Sequence, residues 1–317
     1  MKKILALILS VVMIASLAAC GGTATDDIIN VGVVQLIQHE ALDAATQGFV
    51  DTLKAEFGDK IVIDVQNASG EPTNCTTIVN GFVSSNVDLI MANATAALQA
   101  AREGTDTIPV LGTSITDYAS ALKIDNWTGT VGGNVSGTTD LAPLDEQADM
   151  IKELFPDKKN VGLLYCSAEA NSQYQVDEIT KKLEALGYTC TPYAFTDTTN
   201  VASVAQTACD ASDVIYIPTD NTAANNTEAI ANVVIPAGIP VVAGEAGLCK
   251  GCGVATLSID YYDLGVATGK MAIKILKGEA KVGEMPVEAA AEVTKMYNKA
   301  NCEALNVTIP DGYIVIE

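Results

Sequence analysis

The sequence predicts an α/β protein of two Rossmann-like lobes, each built on a parallel sheet. Three observations carry this. Short apolar runs alternate with helical patterns along almost the whole chain. The second half repeats the first, and the predicted strands end in small polar loops, the place where parallel sheets collect their chemistry.

The elements follow in order. Residues 28–36 read as a buried strand and 41–57 as an amphipathic helix; 61–66, 87–91 and 108–112 read as strands, 73–85 and 95–103 as helices. After a glycine-rich stretch at 129–137 the pattern restarts. Helices are predicted at 144–154, 173–186, 201–208 and 222–234, and strands at 161–165, 188–194, 214–217 and 239–243. Units of this length imply parallel pairing with helices on both faces. Asp88 to Met91, Ala94 to Ala97 and Ile108 to Val110 match Asp213 to Tyr216, Asn221 to Ala224 and Ile239 to Val241. The repeat is a half-domain, too long for a solenoid, and two such lobes would face each other across a cleft.

The N-terminus has its own logic. Lys2 and Lys3 precede an uncharged apolar run to Ala19, as in a secretory signal. Leu17, Ala18 and Ala19 before Cys20 resemble the bacterial lipobox. Residues 1–19 are therefore predicted to be cleaved, Cys20 lipidated, and 21–27 a tether. Acyl chains gain roughly 0.8 kcal/mol per buried methylene, so the anchor would hold the folded part outside the cytoplasm, on the cell surface or in the periplasm.

Composition narrows the rest. The 49% apolar and 18% charged residues describe a well-buried globular chain. A formal charge of −21, becoming −23 once Lys2 and Lys3 leave, repels phosphates and excludes nucleic acid as partner. Setting Cys20 aside, seven cysteines remain, an odd number without regular spacing, so no disulfide framework is implied. Cys249 and Cys252 form a CxxC between Gly247 and Gly253, read as a loop. Plain thiols, a local disulfide, and a metal or redox role all stay open, although no second CxxC or His pair completes a zinc set.

The strand-end loops supply the candidate ligand-binding residues. In the first lobe they are Gln35, His39 and Glu40; Asn67 and Glu71; Ala94 and Thr95; Thr116 and Asp117. In the second they are Ser167, Glu169, Asn171 and Ser172; Asp220 and Asn221; and Glu245. Many could be helix caps, yet acids recur from both lobes. Uncompensated acids favour a ligand with an ammonium group, for which Asp220 and Glu245 are the leading candidates. Arg102 is the only arginine and lies two turns into its helix, so a ligand carboxylate would rest on helix starts near Thr95 or Ser172. Together these describe an amino-acid-like zwitterion, with Tyr118 or Tyr165 available to stack on an aromatic ring.

Gln35 with His39 to Asp43, Tyr165 to Ser172, Pro218 to Thr222 and Ile259 to Gly265 resemble the ABC-transporter substrate-binding proteins of the tryptophan/tyrosine type, from about Asn30 to the C-terminus. The resemblance implies the type I periplasmic-binding fold, a hinge of three crossovers, and a monomer that delivers aromatic amino acids to a permease and its ATPase. It adds Asp260 to the site and implies no cofactor. It places 28–141 with 260–281 in one lobe and 142–259 with 282–317 in the other. Glu40, Tyr118 and Cys166 depart from the residues usual in that family.

Other classes fit less well. His39 is the only histidine, and no GxSxG, Walker A or GxGxxG motif is present, so catalysis is not expected. A sensor docking to a membrane signalling partner uses the same fold and is the alternative. A structural adhesin would not need polar loops converging from two lobes, and a transcriptional regulator would carry a DNA-binding headpiece.

Overall fold

The computed structural model describes residues 28–290 and 292–316. The predicted signal segment, Cys20 and the tether lie outside them. Among the described residues no helix is long and apolar enough to cross a membrane.

The first lobe runs β1 (Ile29–Gln35), α1 (Glu40–Phe57), β2 (Ile61–Asn67), α2 (Pro72–Ser84), β3 (Leu89–Asn93), α3 (Thr95–Gly104), β4 (Val110–Ile115), α4 (Tyr118–Leu122) and β5 (Val135–Thr139). The second runs α5 (Leu144–Leu154), β6 (Asn160–Cys166), α6 (Ala170–Ala185), β7 (Thr189–Phe195), α7 (Val201–Ala211), β8 (Val214–Ile217), α8 (Asn221–Ala224), α9 (Thr227–Ala237), β9 (Val241–Ala243), α10 (Ala246–Cys252) and β10 (Ala255–Ser258). The chain then returns through α11 (Tyr261–Leu276) and β11 (Glu288–Ala289), and ends on β12 (Thr294–Tyr297), α12 (Lys299–Leu305) and β13 (Ile314–Val315).

The sheet orders are β11-β5-β4-β3-β1-β2 and β13-β12-β10-β9-β8-β6-β7. Pairing is parallel except between β10 and β12. Period-two alternation sends successive side chains to opposite faces. In the first sheet Val31, Val33 and Met91 pack on Phe49 and Leu53 of α1 and Met271 of α11. Val34, Ile90 and Ala92 pack on Cys75 and Val79 of α2 and Leu98 of α3. The second sheet is covered likewise by α5 and α6 on one face and α7, α9 and α10 on the other.

The internal repeat has a structural counterpart. Asp88 accepts the backbone N–H of Asn30 at 2.7 Å, and Asp213 accepts that of Asn160 at 2.8 Å. Each carboxylate closes the start of its lobe's first strand, and each aspartate returns its own N–H to the same neighbour's carbonyl.

Two expectations need correction. Residues 282–289 belong to the first lobe: β11 pairs with β5, and Val282 and Met285 fill the first lobe's core. These two apolar side chains find their seat beneath the β5 edge, so the third crossover falls near residue 290 rather than 281. The end of the glycine-rich stretch, for which no element was predicted, enters strand β5, where a Cβ at Gly137 would lie 2.0 Å from the Gly112 carbonyl and only glycine permits that approach. Cys249 and Cys252 sit in helix α10, not a loop, with both sulfurs buried in an apolar core and all seven described thiols free.

Candidate ligand-binding site

A hollow of about 400 Å³ opens between the lobes. Its first-lobe wall comes from Leu36, Ile37, Glu71, Pro72, Thr95 and Ala96, and its second-lobe wall from Glu169, Asn171, Asp197, Asn221 and Thr222. The starts of α2, α3 and α6 meet here, with the short α8 beside them. Their N–H groups make the hollow receptive to an anionic group. A larger hollow, about 580 Å³, lies on the first lobe alone and is lined in part by Arg102, which is not on the wall of the shared hollow.

Of the predicted residues, the structure brings Glu71, Thr95, Glu169, Asn171 and Asn221 to this wall. Glu169 organises it. One carboxylate oxygen accepts the Asn221 N–H at 3.0 Å and its side-chain amide at 2.6 Å; the other accepts the Thr222 N–H at 2.8 Å and hydroxyl at 2.7 Å. Glu169 thus caps the start of α8 from another element. Ala94, at φ 85°, stands in the left-handed region before α3, a strained conformation of the kind that accumulates at ligand clamps.

Several predicted acids turn out to serve helices. Asp117 caps α4 through Ser120 N at 2.7 Å, and Asp260 caps α11 through Asp263 N at 3.0 Å. Asp220 is buried below the cleft wall, accepting Cys166 N at 2.6 Å and Ala223 N at 2.8 Å. Burial and then the Glu169 charge push its pKa up. Glu245 accepts Gly247 N and Leu248 N, both at 2.6 Å, and burial raises it to about 7. Neither Asp220 nor Glu245 lines this hollow, and the acids on its wall are Glu71, Glu169 and Asp197; Glu245 borders a neighbouring hollow with His39 and Glu40. The sequence could have flagged Asp197 as an acid after β7.

The remaining candidates lie elsewhere. Gln35 is consumed by Asp43, Ile37 O and Thr46. Asn67 closes a turn on Ser69 N, and Ser167 bonds Phe195 O. Ser172 is fully buried beside Asn171, and Thr116 bonds Asp140. His39 and Glu40 reach across to the second lobe, to Asn221 and Lys250. Tyr118 is buried, stacked on Trp127 and bonded to Thr138 O, and Tyr165 bonds Gln173. Neither tyrosine is on the cleft wall; the apolar surfaces there include Leu36, Ile37 and Pro72.

Two α/β lobes facing each other across three crossovers define a type I periplasmic-binding architecture. The sequence model described as ABC transporter substrate binding protein matches residues 30–316, and the chain belongs to that family. It is 32% identical over 322 residues to the tyrosine-binding protein of Clostridioides difficile strain R20291, covering 96% of this chain and 93% of the relative. Among solved structures it resembles the ABC domain in complex with L-Trp from Streptococcus pneumonia (TM-score 0.86, 33% identity, 91% of this chain and 99% of that one). It also resembles the ligand-free, open structure of a Clostridium difficile substrate-binding protein with adhesive properties (TM-score 0.70, 32% identity, 92% and 99%). At nearly equal identity the lobes fit the tryptophan complex better than the open form. Substrate-binding proteins of this family are extracytoplasmic.

Proposed function

We propose that the chain is the capture component of an ABC importer. It closes its lobes on one zwitterionic amino acid, aromatic in side chain, and hands it to a membrane permease driven by an ATPase. Cys20 would tether it by lipid to the outer face of the membrane. The observation that supports this best is the shared hollow, whose walls carry helix starts suited to a carboxylate and the acids Glu71, Glu169 and Asp197 suited to an ammonium. A ring would lie on Leu36 and Ile37. The tyrosine- and tryptophan-binding relatives favour an aromatic ligand.

The test is a thermal-shift screen of the twenty amino acids on protein starting after Cys20, followed by calorimetry. Tyrosine or tryptophan should raise the melting temperature, since ligand at ~100-fold excess over Kd adds about 2.7 kcal/mol. No response to any amino acid would defeat the reading.

A further inference from the structure

Two contacts that cross between the lobes come from consecutive residues. His39 Nε2 lies 3.2 Å from Asn221 Oδ1, and Lys250 Nζ lies 3.2 Å from Glu40 Oε1. The partners sit on different helices of the second lobe, Asn221 on α8 and Lys250 on α10. Between the two contacts lies a second inter-lobe hollow of about 340 Å³, bounded by His39, Glu40, Asn225, Glu245 and Lys250.

The hydrogen-bond roles are fixed. Asn221 Nδ2 donates to Glu169 at 2.6 Å, which turns Oδ1 toward the histidine. Nε2 must therefore donate. In the neutral ring Nδ1 is then an acceptor, buried and without a partner. Burial lowers the ring's pKa, so the neutral form is the one held. A buried orphan acceptor is costly, and opening the lobes to water relieves it. Asn221 also lines the ligand hollow, so one residue touches both the closing contact and the captured molecule.

We propose that His39 and Glu40 form a two-point clasp that holds the lobes shut and sets how long a captured ligand stays. The proposal rests on the capture reading only for its ligand; the clasp itself is a relation between lobes. His39 is a positioning residue here, acting through Asn221. Although it occupies the N-cap of α1, its side chain makes no cap bond, so its removal spares the helix. The Glu40–Lys250 pair is 62% and 48% exposed, so salt screens it.

The test compares wild type with His39→Ala/Lys250→Ala, His39→Gln and Lys250→Ala. Small-angle scattering of ligand-free protein should show the double variant shifted to wider forms. With L-tyrosine or L-tryptophan, dissociation should be about tenfold faster while association stays within about twofold. His39→Gln keeps a donor for Asn221 and should restore most of the residence time. Lys250→Ala should dissociate at a rate that no longer rises with salt. Identical scattering for wild type and the double variant would overturn the clasp. If wild type takes no amino acid, scattering alone decides it, and the capture reading falls separately.

Discussion

The phenol of Tyr261 donates a 2.9 Å hydrogen bond to Asp140 Oδ2, tying the residue that leaves the first lobe to the residue that returns to it. Thr116 donates to the other oxygen at 3.2 Å. No ion pair reaches this carboxyl among the described residues. Burial raises Asp140 to about 6, as it raises nearby Glu245 to about 7.

A folded pKa above the unfolded one means the native chain binds more protons across the interval between them. Stability contributed by Asp140 is thus full below about pH 4 and lost as pH climbs to about 6, by about 3 kcal/mol in all. Glu245 acts in the same sense up to about 7. His39, whose pKa is lowered, acts in the opposite sense as pH rises toward its unfolded value. The difference between wild type and Asp140→Asn isolates the aspartate. Melting temperatures from pH 4 to 8 should show wild type losing ground relative to the variant as pH rises, and parallel curves would refute the assignment.

Glu169 holds four donors of Asn221 and Thr222 in place. Glu169→Gln keeps the shape but puts an amide where an acceptor is needed. Calorimetry against the natural ligand should show affinity reduced at least tenfold, because orphaned donors at the cleft wall cost about 1–3 kcal/mol. Unchanged affinity would remove Glu169 from the site.

Gly265 lies against the backbone of α1: a Cβ there would be 2.0 Å from the Ala45 carbonyl oxygen. Gly265→Ala should lower stability by about 1–3 kcal/mol through forced separation of α1 and α11. Urea unfolding measures this, and a neutral result would mean the helices part freely.

How much of this was legible beforehand follows from what each residue type broadcasts. Apolar periodicity announces strands and helices independently of tertiary context, so 144–154 and 214–217 match the observed elements. The repeat announced two lobes, and the equivalent roles of Asp88 and Asp213 show why its aspartates recur. An acid before a helix is ambiguous. Asp117, Asp220, Glu245 and Asp260 turn back onto their own helices, whereas Glu169 turns outward to another, and only packing selects the direction. The predicted helix 222–234 divides into α8 and α9 at Asn225 and Asn226, whose polar pair carries no apolar period to reveal a break. Strand β11 has two residues, too few for a pattern.

The glycines along α1 and α11 have a mechanical effect. Gly48 and Gly265 bring the two backbones into direct contact, and Gly269 seats the side chain of Thr52. One of these helices begins beside His39 and the other at Tyr261. With their backbones in contact, the two helices are held as one unit where they face the second lobe, and neither can shift there without carrying the other.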